Sequence, residues 1–211
     1  MTLIISDLHN RYKALQDIIN DVWDCKEDII FLGDINDNSH PHDKNYSFIK
    51  TYGLVRLLVD SGKAQLLASN HQDKLIRYLK GNPIKPSNGM QQTIVELAPC
   101  RSDYKESLKT WLMNRPMVIS LPGGFTLAHA YPSEHYGVCI YGPTIKTEGH
   151  RGARLNWWNC ENLLPDFGEC FISGHYHTLS IGDRHVVLDT DDEAVLWMRL
   201  PSKEHGIKLN Y

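Results

Sequence analysis

No apolar run in this 211-residue chain approaches the roughly 20 residues that span a membrane. The opening residues 1–6 run straight into Asp7, too short a stretch for the apolar heart of a signal peptide. Cysteine is sparse and unpatterned. Cys25, Cys100, Cys139, Cys160 and Cys170 lie far apart, odd in number and without a Cys-x-x-Cys pair, which excludes a disulfide framework and a zinc–thiolate site. Neither sign of charge dominates: 22 Lys and Arg face 25 Asp and Glu, a formal net charge of −3. The chain as a whole therefore does not grip nucleic acid or anionic lipid by bulk field, although a local basic groove stays open. These absences read as a soluble, cytoplasmic protein of a reducing compartment, with no membrane partner and no sign of an obligate protein partner.

What is present is globular. Hydrophobic residues make up 42% and charged ones 22%, close to the average for folded domains. A chain of this length buries a core without staples, and no repeat or composition break divides it, so residues 1–211 read as one domain. One count stands out: eleven histidines.

The first third alternates two periodicities. Residues 3–6 form a short apolar run, and Leu15, Ile18, Ile19 and Val22 then mark a helical stripe within 11–24. Residues 28–32 form a second run ending in Gly33-Asp34, and helical spacing resumes over 46–60. Residues 65–68 read as a third strand, followed by Ser69-Asn70-His71 and a helix from about 73 to 79. This β-α-β-α-β-α pattern predicts an α/β fold. An insert over 82–116 carries two helical segments, near 90–97 and 103–113. Residues 118–120 and 125–128 bracket Pro122-Gly123-Gly124, a hairpin signal. Residues 131–165 show little periodicity and read as a long active-site loop, with Lys146, His150, Arg151 and Arg154 beside Trp157 and Trp158.

Chemistry collects where the strands stop. The first run ends in Asp7-Leu8-His9, the second in Gly33-Asp34 with Asp37 nearby, and the third in Asn70-His71. Later runs end in His129 and in Gly174-His175-Tyr176-His177. In an α/β sheet the carboxyl ends of the strands open onto one crevice, so these side chains are candidates for a single site. Imidazole, carboxylate and amide without thiolate suit divalent first-row ions. A carboxylate shared by two ions about 3.5–4 Å apart makes the clamp used in phosphoryl chemistry. Each fragment recurs elsewhere, as at Asp183-Arg184-His185, which reads as a hairpin turn. The order Asp-x-His, Gly-Asp, Asn-His, His, Gly-His-x-His separates signal from decoy.

That ordered set resembles the calcineurin-like metallophosphoesterase superfamily over about residues 3–190. The resemblance implies a β-sandwich flanked by helices, in α-β-β-α layers, with a dinuclear metal site above the sheet edges. It places Asp7, His9 and His177 on one ion, Asn70, His129 and His175 on the other, and Asp34 between them. His71 matches the non-ligand histidine that, in the family, protonates the leaving oxygen or steadies the phosphate. Manganese is the ion first expected, with iron, nickel or zinc as alternatives. Within the superfamily the segment 70–77 is similar to the phosphoprotein-phosphatase-like branch. The bacterial members it resembles include diadenosine-tetraphosphatase-like enzymes and the phosphatase module of polynucleotide kinase–phosphatases.

One departure bears on substrate. Gly33-Asp34-Ile35-Asn36-Asp37-Asn38 puts Asn38 where that branch has a phosphate-gripping arginine, and Arg154 is the candidate replacement. Asp37 is a further candidate catalytic residue; a loop aspartate beside asparagine also reads as a plain turn. The expectation is a metal-dependent phosphoesterase acting on a phosphomonoester or phosphoanhydride, with a nucleotide or RNA-end phosphate as substrate. The alternatives are a serine/threonine protein phosphatase and a non-catalytic scaffold that binds protein.

Overall fold

Alternation within the short apolar runs sends successive side chains to opposite faces of a sheet. In β1 (Thr2–Ile5) and β2 (Asp28–Phe31), Leu3, Ile5, Ile29 and Phe31 enter one core while Ile4 and Ile30 enter another. The computed structural model describes residues 1–38, 45–86, 88–130, 170–175, 179–181, 185–190, 194–200 and 204–209. His177, Arg154, the rest of the loop expected over 131–165, and the thiols Cys139 and Cys160 lie outside the described residues.

Two five-stranded sheets result. The first runs β10-β9-β1-β2-β3 and the second β4-β5-β6-β8-β7. Here β3 is Ala64–Leu66, β4 Val118–Leu121, β5 Phe125–Ala128, β6 Cys170–Ser173, β7 Leu179–Ile181, β8 His185–Leu188, β9 Ala194–Leu200 and β10 Glu204–Leu209. Strands β1, β2 and β3 are parallel, as are β5, β6 and β8; β9 pairs antiparallel to β1. The hairpin expected before residue 128 forms as β4–β5, and β7–β8 also pair antiparallel.

Between the sheets Ile4, Ile30, Leu127, Ile172, Val186, Leu196 and Met198 make one apolar layer. On the other face of the first sheet, Leu3, Ile5, Ile29 and Phe31 meet residues of α1 (Tyr12–Asp17), α2 (Phe48–Asp60), α3 (Asn70–Leu79), α4 (Asn88–Leu97) and α5 (Ser102–Met113). Helix, sheet and sheet are thus three of the expected layers; among the described residues no helix forms the fourth. Each such side chain contributes about 1.5–3 kcal/mol on burial. Ile30, 1% exposed at the centre of the sandwich, is the sharpest probe of this core. Ile30→Ala is expected to lower unfolding free energy by about 2–5 kcal/mol in denaturant titration. Leu57→Ala, 65% exposed on α2, should cost no more than about 0.5 kcal/mol. Equal effects would contradict the layer assignment.

Two helix limits differ from the sequence expectation. The first helix ends at Val22, not Asp24, through a π-turn over Ile18–Val22 in which the Trp23 N–H donates to Ile18 O at 2.9 Å. The third begins at Asn70, three residues early, because the Ser69 hydroxyl accepts from the Gln72 N–H and caps it. Asn70 and His71 therefore ride on a helical first turn. The insert is braced as well. Glu96 of α4 accepts from the Phe48 and Ile49 N–H groups at 3.1 Å each and so caps the start of α2. Among the described residues no helix is long and apolar enough to cross a membrane.

Candidate metal centre

Asp7, Asp34, Asn70, His129 and His175 all follow the carboxyl ends of strands, namely β1, β2, β3, β5 and β6 in turn. The backbone turns sharply there. Of the described non-glycine residues only His9, Asn10, Asp34, Asp37 and His175 have positive φ, from 29° to 71°. Such left-handed conformations cost free energy and persist where surrounding contacts hold them. Here the Leu8 and His9 N–H groups both donate to Asp34 O, at 3.0 and 2.7 Å, and the Gly174 N–H donates to His129 O at 3.0 Å. The Asp34 N–H donates to Ser69 Oγ at 3.1 Å. Two glycines permit the closeness. A Cβ on Gly33 would lie 2.6 Å from His129 Nδ1, and one on Gly174 would lie 2.5 Å from Asp7 Oδ1.

Asp34 is the hub. Its Oδ2 lies 3.4 Å from His129 Nε2 and 3.9 Å from both His9 Nε2 and His71 Nε2. Two groups of potential ligands share it: His9, Asp34 and His71, and Asp34, His129 and His175, with ligand atoms within 4.8 Å of one another in each. Asn70 Oδ1 joins the second group, 2.8 Å from His129 Nε2. Asp7 lies beside them: its Oδ2 accepts from the His175 N–H at 2.9 Å, and its Oδ1 is 3.5 Å from His129 Nδ1.

The far ring nitrogens are committed to the protein. His9 Nδ1 donates to Asp37 O at 2.8 Å and His129 Nδ1 to Leu32 O at 3.2 Å. In a neutral ring this leaves the lone pair on Nε2, the atom facing Asp34, which is the arrangement of a metal-ligating histidine with its supporting acceptor. His71 Nδ1 donates to Asp37 Oδ2 at 3.0 Å. The His71 side chain is 29% exposed, whereas those of His9 and His129 are 6% and 0% exposed. His71 thus stands where the site opens.

The charges call for a cation. Asp7, Asp34 and Asp37 are buried, and all their described ion pairs are to histidine. Burial penalises the charged form of Asp34, but His129 and then His71 outweigh it and hold the carboxyl well below its usual range. Burial likewise opposes charge on His129, yet Asp34 and Asp7 raise it well above the usual imidazole value. His71 is raised to about 9, again against burial, by Asp34 and Asp37. His175 goes the other way: burial and the neighbouring His129 push it down to about 3. The carboxylates thus draw positive charge toward them, which divalent ions would supply. The donor set fits them. Asp7 Oδ1 is buried without a hydrogen bond, and the Nε2 atoms converge on one carboxylate.

Of the ten residues expected at the site, eight lie in the described structure and come together: Asp7, His9, Asp34, Asp37, Asn70, His71, His129 and His175. His177 and Arg154 lie outside it. Asp189, buried after β8, accepts from the Thr190 N–H at 2.7 Å. The sequence reading missed Thr93 of α4, which is fully buried and donates to Asp37 Oδ1 at 3.1 Å. A threonine on the helix expected around 90–97, away from every strand end, carries no sequence signal for such a role.

No family model matches the chain. Among curated proteins it is similar to the asymmetrical bis(5'-nucleosyl)-tetraphosphatase PrpE of Bacillus subtilis, at 29% identity over 120 residues, 52% of this chain and 47% of that protein. The protein of the same name from Oceanobacillus iheyensis is 25% identical over 147 residues, 63% of this chain and 56% of the relative. The chain thus spans about half the length of the curated relatives it matches. Among solved structures, one provisionally assigned as a diadenosine tetraphosphatase superposes with a TM-score of 0.68 at 18% identity, covering 100% of this chain and 93% of that one. A metallophosphoesterase from Sphaerobacter thermophilus gives a TM-score of 0.56 at 16% identity, covering 100% and 88%. The fold is the metallophosphoesterase fold, and the resemblance to calcineurin-like metallophosphoesterases read from the motifs is borne out.

Proposed function

We propose that the chain is a cytoplasmic, metal-dependent phosphoesterase that hydrolyses a phosphoanhydride or phosphomonoester of a nucleotide. The observation that carries this is the sharing of Asp34 by two histidine groups. Asp7, His9 and His177 would hold one ion and Asn70, His129 and His175 the other, with Asp34 contacting both. Two divalent ions there, manganese first among them, would lower the pKa of a bound water and offset charge on the phosphate oxygens.

The protein's own groups do the rest. Asp37 accepts the Nδ1 proton of His71 and so fixes the ring with Nε2 facing Asp34, 3.9 Å from its Oδ2. From there Nε2 passes a proton to the departing oxygen as its bond to phosphorus breaks. Asp34 and His175 lie buried in the site. The nucleotide preference draws on the similarity to nucleosyl-tetraphosphatases, and Arg154 is the candidate phosphate grip in place of Asn38.

Diadenosine tetraphosphate tests the substrate class. With manganese supplied, the protein is expected to convert it with one water into ATP and AMP in equal amounts, followed by chromatography. An inert dinucleotide alongside a hydrolysed phosphoserine peptide would transfer the function to the protein-phosphatase alternative.

A further inference from the structure

Helix α4 belongs to the insert, outside the strand-end motifs, yet it reaches the site. Thr93 Oγ1 lies 3.2 Å from the Asp37 N–H, 3.4 Å from Asn10 Nδ2 and 3.1 Å from Asp37 Oδ1. The first two are donors, so the hydroxyl accepts from both, and its single proton goes to the carboxylate. Asp37 Oδ1 also accepts from Asn36 Nδ2 at 2.9 Å, while Oδ2 accepts from His71 Nδ1 at 3.0 Å. One carboxylate is thus clamped on one oxygen by Asn36 and Thr93, and it orients the His71 ring with the other.

Thr93 is well suited to hold a position. It is fully buried, and β-branching stiffens its side chain on a helix. The helix is fixed at both ends. Glu96 caps α2, and at the other end Gly89 O accepts from the Asn38 N–H at 3.2 Å. A Cβ on Gly89 would lie 3.0 Å from Asn38 N, so the helix packs directly on the Asp37 turn.

We infer that Thr93 is a positioning residue for proton transfer: through Asp37 it sets the His71 ring at the leaving oxygen, which makes the α4 insert part of the catalytic apparatus. This rests on the phosphoesterase reading above and deepens it. Asp37 without the Thr93 hydroxyl would keep its charge but lose one donor and its fixed angle, and the His71 ring would lose alignment with it.

Leaving-group dependence tests this without confusing it with a general loss of structure. A proton matters greatly to an alkoxide leaving group and little to p-nitrophenolate. Thr93→Val keeps the shape and removes the hydroxyl; Thr93→Ser keeps the hydroxyl. In Thr93→Val, kcat is expected to fall about ten-fold on an alkyl phosphate, the size of one hydrogen bond to a charged group, with KM unchanged. The loss should shrink steadily as the leaving group becomes more acidic. Thr93→Ser should restore the wild-type slope, and Thr93→Val should add nothing in a His71→Ala background, since residues acting in one chain are not additive. A uniform loss across leaving groups, or a full additional loss in the His71→Ala background, would overturn the inference while leaving the phosphoesterase reading intact. Wild-type protein inert toward every phosphate ester would remove both.

Discussion

Replacing His71 with alanine is expected to lower hydrolysis of an alkyl phosphate by about 10²–10⁴-fold, the range for loss of a proton-transfer group, while both metal ions stay bound. His71 is the most exposed of the imidazoles that surround Asp34 Oδ2. Its Nδ1 is taken by Asp37 at 3.0 Å, so its Nε2 is the atom that meets substrate. Removing the ring leaves Asp37 with its Asn36 and Thr93 donors, and the buried part of the site keeps its shape. Kinetics of the variant, with its metal content by mass spectrometry, separate two outcomes. Unchanged turnover would take His71 out of the mechanism, and loss of an ion would make it a ligand.

Asp34→Asn is expected to abolish binding of both ions together. Asparagine nearly matches the volume of aspartate but removes the charge and one anionic oxygen, and both ligand groups depend on that carboxylate. Metal titration followed by calorimetry should show two sites per chain in the wild type and neither in the variant at the same free metal. A variant that keeps one ion would show that Asp34 serves a single site. The buried carboxylate also raises the pKa of His129 and of His71, so the far-UV spectrum and thermal midpoint of the variant belong beside the titration.

The residues legible in the sequence are those whose position follows from local pattern. Asp7, Asp34, His129 and His175 each terminate an apolar run, and strand ends converge in any α/β sheet. Asp37 and Thr93 are different. Asp37 is read equally well as a turn residue, because its role comes from a left-handed backbone, φ 68°, that aims both oxygens inward. The place of Thr93 depends on how the α4 insert docks, a tertiary fact with no periodicity of its own. The start of α3 differs from the sequence expectation for a local reason. Ser, Asn and His are poor helix-interior residues, and the Ser69 cap turns them into a first turn. The early end of the first helix reflects the π-turn at Ile18–Val22, where Trp23 turns extended and its indole N–H donates to Glu27 O at 2.9 Å.

The most direct test is turnover of p-nitrophenyl phosphate by chelator-stripped protein as manganese is titrated back, with Asp34→Asn as the blank. Activity that is absent without metal, returns as two ions bind, and never appears in the variant is the expected result. Turnover that survives stripping, or that returns equally in Asp34→Asn, would contradict a phosphoesterase built on two ions sharing Asp34.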